Sequence, residues 1–239
     1  MVSMQHSDRL SHGLLHAFVL DGCGSAQAIG FSELEHLQLT EQQSVWLHWE
    51  RSHLLTEQWL RESSGLSEFS RELLLEENTR PRLLRLDNQE LLVFLRAINL
   101  NPQAEPEDMV SLRIFANAKH IYSLRQRPVQ ITNDLLRAFE KGQGPKNTSE
   151  VLLFLAQSLT DRVEHVVSDL GDTVDQEEAR TDSDELYIPS PIGMLQARRT
   201  AANLRRFLAP QRDVFLALTR TQELWFLVDD AMYWNELSN

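Results

Sequence analysis

The feature that most constrains the fold is a change of period at Gly142-Gln143-Gly144-Pro145. Before it, short apolar runs weighted with β-branched and aromatic residues alternate with helical stretches. After it, apolar residues recur every three or four positions for tens of residues. Strand-like runs must join a sheet, and a long one-sided helix must lie on something, so the chain has to build a layered α/β body that carries long helices. With 239 residues, 42% of them apolar, it can bury a core of that size.

The strand pattern predicts residues 14–21, 45–49, 91–98, 109–115 and 121–124, with a hairpin at Asn117-Ala118-Lys119 between the last two. Helices are expected over 54–63, 68–77 and 132–141, the last stopped by the glycines. Thr148 is the expected N-cap of a long helix over 149–180, whose apolar positions are Val151, Leu152, Leu155, Leu159, Val163, Val166 and Leu170. A break at Pro189-Ser190-Pro191 precedes a helix over 192–219, interrupted only by Pro210, and a third helix is expected from Thr221 through Asn239. The fold class is therefore α/β, with a mixed sheet in α/β/α layers over residues 1–188 and long stalk helices over 189–239.

Charge narrows the function classes. The net charge of -12 argues against a generic nucleic-acid binder, which needs a basic surface to neutralise phosphates. A single cysteine, Cys23, excludes disulfide frameworks and multi-cysteine metal sites. The longest apolar run, 151–156, falls far short of a membrane span, and the N-terminus lacks the apolar core of a signal peptide. Composition alone thus suggests a soluble chain in a reducing, cytoplasmic compartment. Residues 161–185 hold ten acidic and two basic residues, whereas 196–212 hold five arginines and no acid. Either these helices pair their charges with each other, or an acidic element of one subunit meets a basic element of the next.

Catalytic signatures are lacking. There is no HExxH, no nucleophile elbow, and no glycine loop with phosphate-cradling spacing. His165 and Asp169, one helical turn apart, are weak metal-ligand candidates; a hydrolase built from Glu164, His165 and Asp169 is the lowest-ranked function. His16, His48 and His53 read as structural histidines. Proline-flanked arginines in Thr79-Arg80-Pro81-Arg82, Arg125-Gln126-Arg127-Pro128 and Ala209-Pro210-Gln211-Arg212 suggest anion sites at Arg80, Arg82, Arg125, Arg127 and Arg212, with chloride as ligand where no carboxylate occupies them. Ion pairing with Glu and Asp is the competing reading. Gln222, Asp229 and Glu236 recur every seven residues, which would put them on one face of the expected third helix.

These motifs, together with Leu20-Asp21-Gly22 and Gly24, Trp46-Leu47-His48, Gly142 with Gly144-Pro145, and Leu159-Thr160-Asp161, keep one order over residues 20–214. In that order they resemble the cytoplasmic domain of the CorA-like metal-ion transporters, and specifically their zinc-transporter branch, ZntB. The resemblance implies five subunits forming a funnel around a central cation path. It also implies proton-coupled zinc transport across the inner (plasma) membrane, with this domain facing the cytoplasm and no organic cofactor. The two C-terminal membrane helices of the family and their Gly-x-Asn signature are not in the sequence, so a chain cut before its membrane part is expected. Under fivefold symmetry Gln222, Asp229 and Glu236 would line the cation path as rings. The alternative is a regulatory or adaptor oligomer without transport activity.

Overall fold

The computed structural model describes residues 12–183 and 191–239. Strands β1 (Leu14–Leu20), β2 (Ala26–Ala28), β3 (Ser44–Glu50), β4 (Arg82–Leu86), β5 (Glu90–Ala97), β6 (Val110–Ala116) and β7 (His120–Arg125) form one mixed sheet in the order β2-β1-β3-β7-β6-β5-β4. Only β3 and β7 run parallel, with Trp46 beside Ile121 and His48 beside Ser123. The expected hairpin is present: Asn117 N–H donates to the His120 carbonyl, and Asn117 Oδ1 accepts from the backbone N–H groups of Lys119 and His120. Strands β2 and β4 were not expected. Both are edge strands, one of three residues and one flanked by arginines, and pairing on a single side leaves a weak apolar pattern.

Helices cover both faces. On one lie α1 (Phe31–Leu34), α2 (Leu54–Glu62) and α3 (Glu68–Leu75), packed on Val45, Leu47, Trp49, Leu92, Phe94, Phe115 and Tyr122. On the other lie α4 (Ile131–Glu140), α5 (Thr148–Ser183), α6 (Pro191–Leu218) and α7 (Ala231–Leu237), whose core joins Trp46, Val93, Leu112, Ile114 and Ile121 to Leu135, Leu152, Leu155 and Trp234. Residues alternate between the two faces along each strand because a strand has period two, so both faces are buried and the layers are α/β/α. A third cluster, Ile98, Met109, Val163 and Leu204, fastens α5 to α6 at one end of the sheet.

Local chemistry corrects several expectations. Helix α5 is capped by Asn147, not Thr148: Asn147 Oδ1 accepts the Glu150 N–H at 3.0 Å, and Asn147 Nδ2 donates to Glu150 Oε1 at 3.2 Å. The glycines do more than stop α4. Gly144 N–H donates to the Gly24 carbonyl at 2.8 Å, and a Cβ on Gly144 would collide with the Phe139 ring, so both loops need a residue without a side chain there. The break at Pro189-Ser190 lies outside the described residues.

The third helix is not continuous from Thr221. Helix α6 ends at Leu218, residues 228–230 form one 3₁₀ turn, and helical structure resumes only at Ala231. Tertiary anchors hold the intervening segment: Leu224 N–H donates to Gln89 Oε1 at 2.7 Å, Trp225 Nε1 to the Gln89 carbonyl at 2.6 Å, and Phe226 is buried against Trp234. Gln222, Asp229 and Glu236 consequently share no helix face, and the stripe argued from their spacing does not form.

Candidate functional site

The loop from α3 to β4 carries Glu76-Glu77-Asn78-Thr79-Arg80-Pro81. Thr79 is buried there and its hydroxyl meets Ser111 Oγ at 2.8 Å. Two strand arginines bind this loop from beneath. Arg113 of β6, 2% exposed, donates through Nη1 to the Leu74 carbonyl at 3.0 Å and through Nη2 to the Glu77 carbonyl at 3.2 Å. Arg96 of β5 donates to the carbonyls of Met109 and Thr79, and its guanidinium lies 4.8 Å from the centre of the Phe207 ring of α6. Burial pulls the Arg113 guanidinium down to about 9; Arg51 and Arg96 push the same way and Glu76 opposes them. Arg96 is lowered too, by burial and by Arg206.

Between this loop, the start of β6 and α6 lies a cavity of about 430 Å³. Arg96, Arg113, Arg127 and Arg206 line it, opposed by Glu77, Glu107 and Asp108. The Nε atoms of Arg96 and Arg113 are buried without a hydrogen-bond partner, so donor capacity remains after the carbonyl contacts. Clustered guanidiniums with spare N–H groups can take an anion.

The five arginines expected from sequence have different fates. Arg80 is exposed, with no ion pair among the described residues. Arg82 is paired: its Nη2 donates to Glu76 at 2.5 Å and its guanidinium lies 4.6 Å over Phe94, so a carboxylate already neutralises it, although its Nε has no partner among the described residues. Arg125 is half-buried with Nε and Nη1 unpartnered; burial lowers its pKa and Glu50 opposes the shift. Arg127 is exposed on the cavity rim. Arg212 donates from Nε to the Ser238 carbonyl at 2.9 Å and ties α6 to the end of α7. Sequence reasoning missed Arg96 and Arg113. The signal was there: each is an arginine inside an otherwise apolar strand run, where a charge is expected only if its hydrogen bonds are met.

The metal candidates stand apart. His165 and Asp169 are exposed on α5, and among the described residues no group of three or more His, Cys, Asp or Glu side chains could hold a metal ion. Gln222, Asp229 and Glu236 are exposed, each in a different setting, whereas the neighbouring Asp230 is buried and accepts from Ser149 Oγ at 3.0 Å. The structural histidines are as expected: His53 caps α2 by accepting the Leu55 N–H, and His48, fully buried, contacts Ser123 Oγ at 2.8 Å through Nδ1. Burial drives the His48 pKa well down, helped by His16 and Arg125, so the ring is neutral.

Among the described residues, the acidic and basic helices do not neutralise each other. Asp161, Glu164, Asp169, Asp172, Asp175 and Glu178 are exposed on α5, and Arg198, Arg199, Arg205, Arg206 and Arg212 on α6. Among the described residues none of these arginines forms an ion pair with an α5 carboxylate; the ion pairs present lie elsewhere, such as Arg162 with Asp134 at 2.5 Å.

Residues 41–239 match the family described as CorA-like Mg2+ transporter protein. The chain is 50% identical to the divalent cation transporter CmaX of Pseudomonas aeruginosa over 95% of its own length and 68% of that protein's. It is 32% identical to the zinc transport protein ZntB of Pectobacterium carotovorum, over 99% of this chain and 68% of the relative. The structure of full-length CmaX superposes with a TM-score of 0.92 at 50% identity, covering 95% of this chain and 70% of that one. The ZntB cytoplasmic domain from Vibrio parahaemolyticus shares the fold, with a TM-score of 0.79 at 21% identity over 95% of this chain and 86% of that one.

Proposed function

Since the chain belongs to the CorA-like Mg2+ transporter family, we propose that it is the cytoplasmic, ion-collecting part of a divalent-cation transporter in the inner membrane, with zinc as the ion and proton coupling as the drive. The observation that carries this reading is the 50% identity, over nearly the whole chain, to a divalent cation transporter. The ZntB relative supports zinc as the cargo.

The geometry supplies a way to collect cations. Among the described residues the exposed carboxylates of α5 form no ion pair with α6, so their field reaches solvent and raises the local cation concentration. His165 and Asp169 would then be passing contacts, weak enough for an ion to leave. Asp229 and Glu236, and the polar Gln222, would meet the ion path as separate exposed groups rather than as one stripe. Small anions such as chloride would sit at Arg127, Arg125 and Arg80, whose guanidiniums no carboxylate occupies among the described residues.

Unpaired charge of both signs on adjacent helices also favours assembly, with α5 of one subunit facing the arginines of α6 on the next in a ring of five. Among the described residues no helix is long and apolar enough to cross a membrane. Under this proposal the crossing is made by sequence outside these residues.

Zinc entry into vesicles reconstituted with the full-length protein, read by an internal fluorescent zinc indicator with and without a proton gradient, tests the reading. Gradient-stimulated zinc entry is the expected result. Magnesium entry without zinc entry would reject the cargo, and zinc entry indifferent to the gradient would reject the coupling. A stable oligomer with no cation flux at all would favour the regulatory alternative.

A further inference from the structure

The sheet face under α1 and α2 holds a second cavity, of about 520 Å³, far from the charged surface of α5 in the layer order and unused by the transport reading. That volume suits a small organic ligand. Three aromatic rings shape it. Trp59 of α2 stands edge-on to Tyr122 of β7, with ring centres 5.2 Å apart at 80°, and Phe115 of β6 stacks beside Tyr122 at 5.5 Å. Trp59 is held in turn by stacking on buried Trp49 at 4.5 Å.

The charge in this cavity has one sign. Its lining includes Glu90 and Glu35 but neither lysine nor arginine. Glu90 is half-buried at the start of β5, and its carboxyl is steadied by the side chain of Asn117. Burial raises the Glu90 pKa, meaning that the carboxylate has lost solvation a cationic partner could replace. His120 contributes no positive charge, because burial and nearby Lys119 lower its pKa. Lys119 itself is turned to the loop before β3, where its ammonium donates to the carbonyls of Thr40, Glu41 and Gln43.

We propose that this cavity binds a small arylalkyl or alkyl ammonium ion, with its nitrogen against Glu90 and its body against Trp59, Phe115 and Tyr122. Aromatic faces attract a cation through their quadrupoles and a carboxylate fixes where it sits. A bare divalent cation fits the site less well, since such ions take several oxygen or nitrogen ligands and the described residues hold no group of three. An anion would meet two carboxylates and no cation.

Calorimetric titration of this chain with phenethylammonium, with phenylacetate, and with zinc chloride alone separates these cases, because the first two share a body and differ in charge. The expected result is saturable phenethylammonium binding at millimolar or lower concentration and none by phenylacetate. Glu90→Gln, nearly isosteric, should weaken binding about tenfold, as should Trp59→Leu, while Glu140→Gln, exposed at the end of α4 and outside the cavity lining, leaves it unchanged. Thermal melting of each variant keeps loss of fold distinct from loss of binding, and Tyr122→Phe, which keeps the ring, should bind almost as well as the parent. Equal affinity for phenylacetate, full affinity in Glu90→Gln, zinc binding that Glu90→Gln abolishes in the absence of amine binding, or no amine binding up to the millimolar range would each overturn the proposal. None of these outcomes depends on transport.

Discussion

The side-chain oxygen of Gln211 accepts the backbone N–H of Arg96 at 2.7 Å, although 115 residues separate the two. Strand β4 covers β5 only as far as the pair Arg82 and Phe94, so the Arg96 N–H has no strand partner on that side. Gln211, 2% exposed on α6, takes the place of a missing strand. Pro210 beside it is accommodated within the helix.

Gln211→Ala leaves that buried N–H unsatisfied and should cost about 1–3 kcal/mol, the penalty of an unmet buried donor. Urea denaturation with a lower midpoint and an unchanged slope is the expected signature. A midpoint equal to the parent's would mean that water satisfies Arg96 and that α6 is not pinned there.

Asp230 gives the fold a pH dependence of known sign. Burial raises its pKa above the ordinary 3.8; Glu150 and Asp229 add to the rise, and the Ser149 hydrogen bond opposes it. A carboxyl whose folded pKa is raised binds more protons folded than unfolded, so its contribution is most favourable below the unfolded pKa and is lost as pH rises through the folded one. Asp230→Asn keeps an acceptor for Ser149 and removes the titration. The melting temperature of Asp230→Asn, relative to the parent, should therefore climb as pH rises from below the ordinary carboxylate range to above it. A flat or falling difference over that range would refute the assignment.

Anions should stabilise the arginine cavity. Bromide-soaked crystals are expected to show anomalous density beside Arg127 and Arg96, and Arg127→Ala should abolish it. Arg82 should stay empty because Glu76 holds it. Density at Arg82 but none in the cavity would reverse this assignment.

Charge reversal tests the assembly. If the α6 arginines meet acidic α5 helices of neighbouring subunits, Arg198→Glu with Arg199→Glu should shift sedimentation equilibrium toward the monomer. High salt should do the same to the parent chain, because exposed charges are screened beyond roughly 8–10 Å at near-physiological ionic strength. An oligomer equally stable in both would show that apolar contacts alone assemble it.

Much of this protein was set by local pattern. The apolar runs of β3, β5, β6 and β7, the Asn117 hairpin and the long α5 and α6 are legible because period, turn chemistry and length all agree over a few residues. The proline-flanked arginines were recognisable as a group for the same reason: proline and guanidinium are local facts. What each arginine does was not legible. Arg82 meets Glu76 only after the chain has turned back into β4, and Arg113 reaches Leu74 and Glu77 only once α3 lies over β6.

The last segment shows the division most plainly. Spacing placed Gln222, Asp229 and Glu236 one above another, and helix propensity alone would keep them so. Gln89, Ser149 and Trp234 lie far from that segment in sequence or across a turn from it, and they offer it hydrogen bonds and a buried aromatic contact. Helix propensity differs by tenths of a kcal/mol per residue, whereas burying an aromatic ring contributes several times more. The sequence by itself thus determined which elements exist and how their charges are distributed. Only the tertiary structure decided which arginines remain free, where the final helix begins and that Glu90 shares a cavity with Trp59 and Tyr122, because those outcomes rest on contacts between residues that meet only when the layers close.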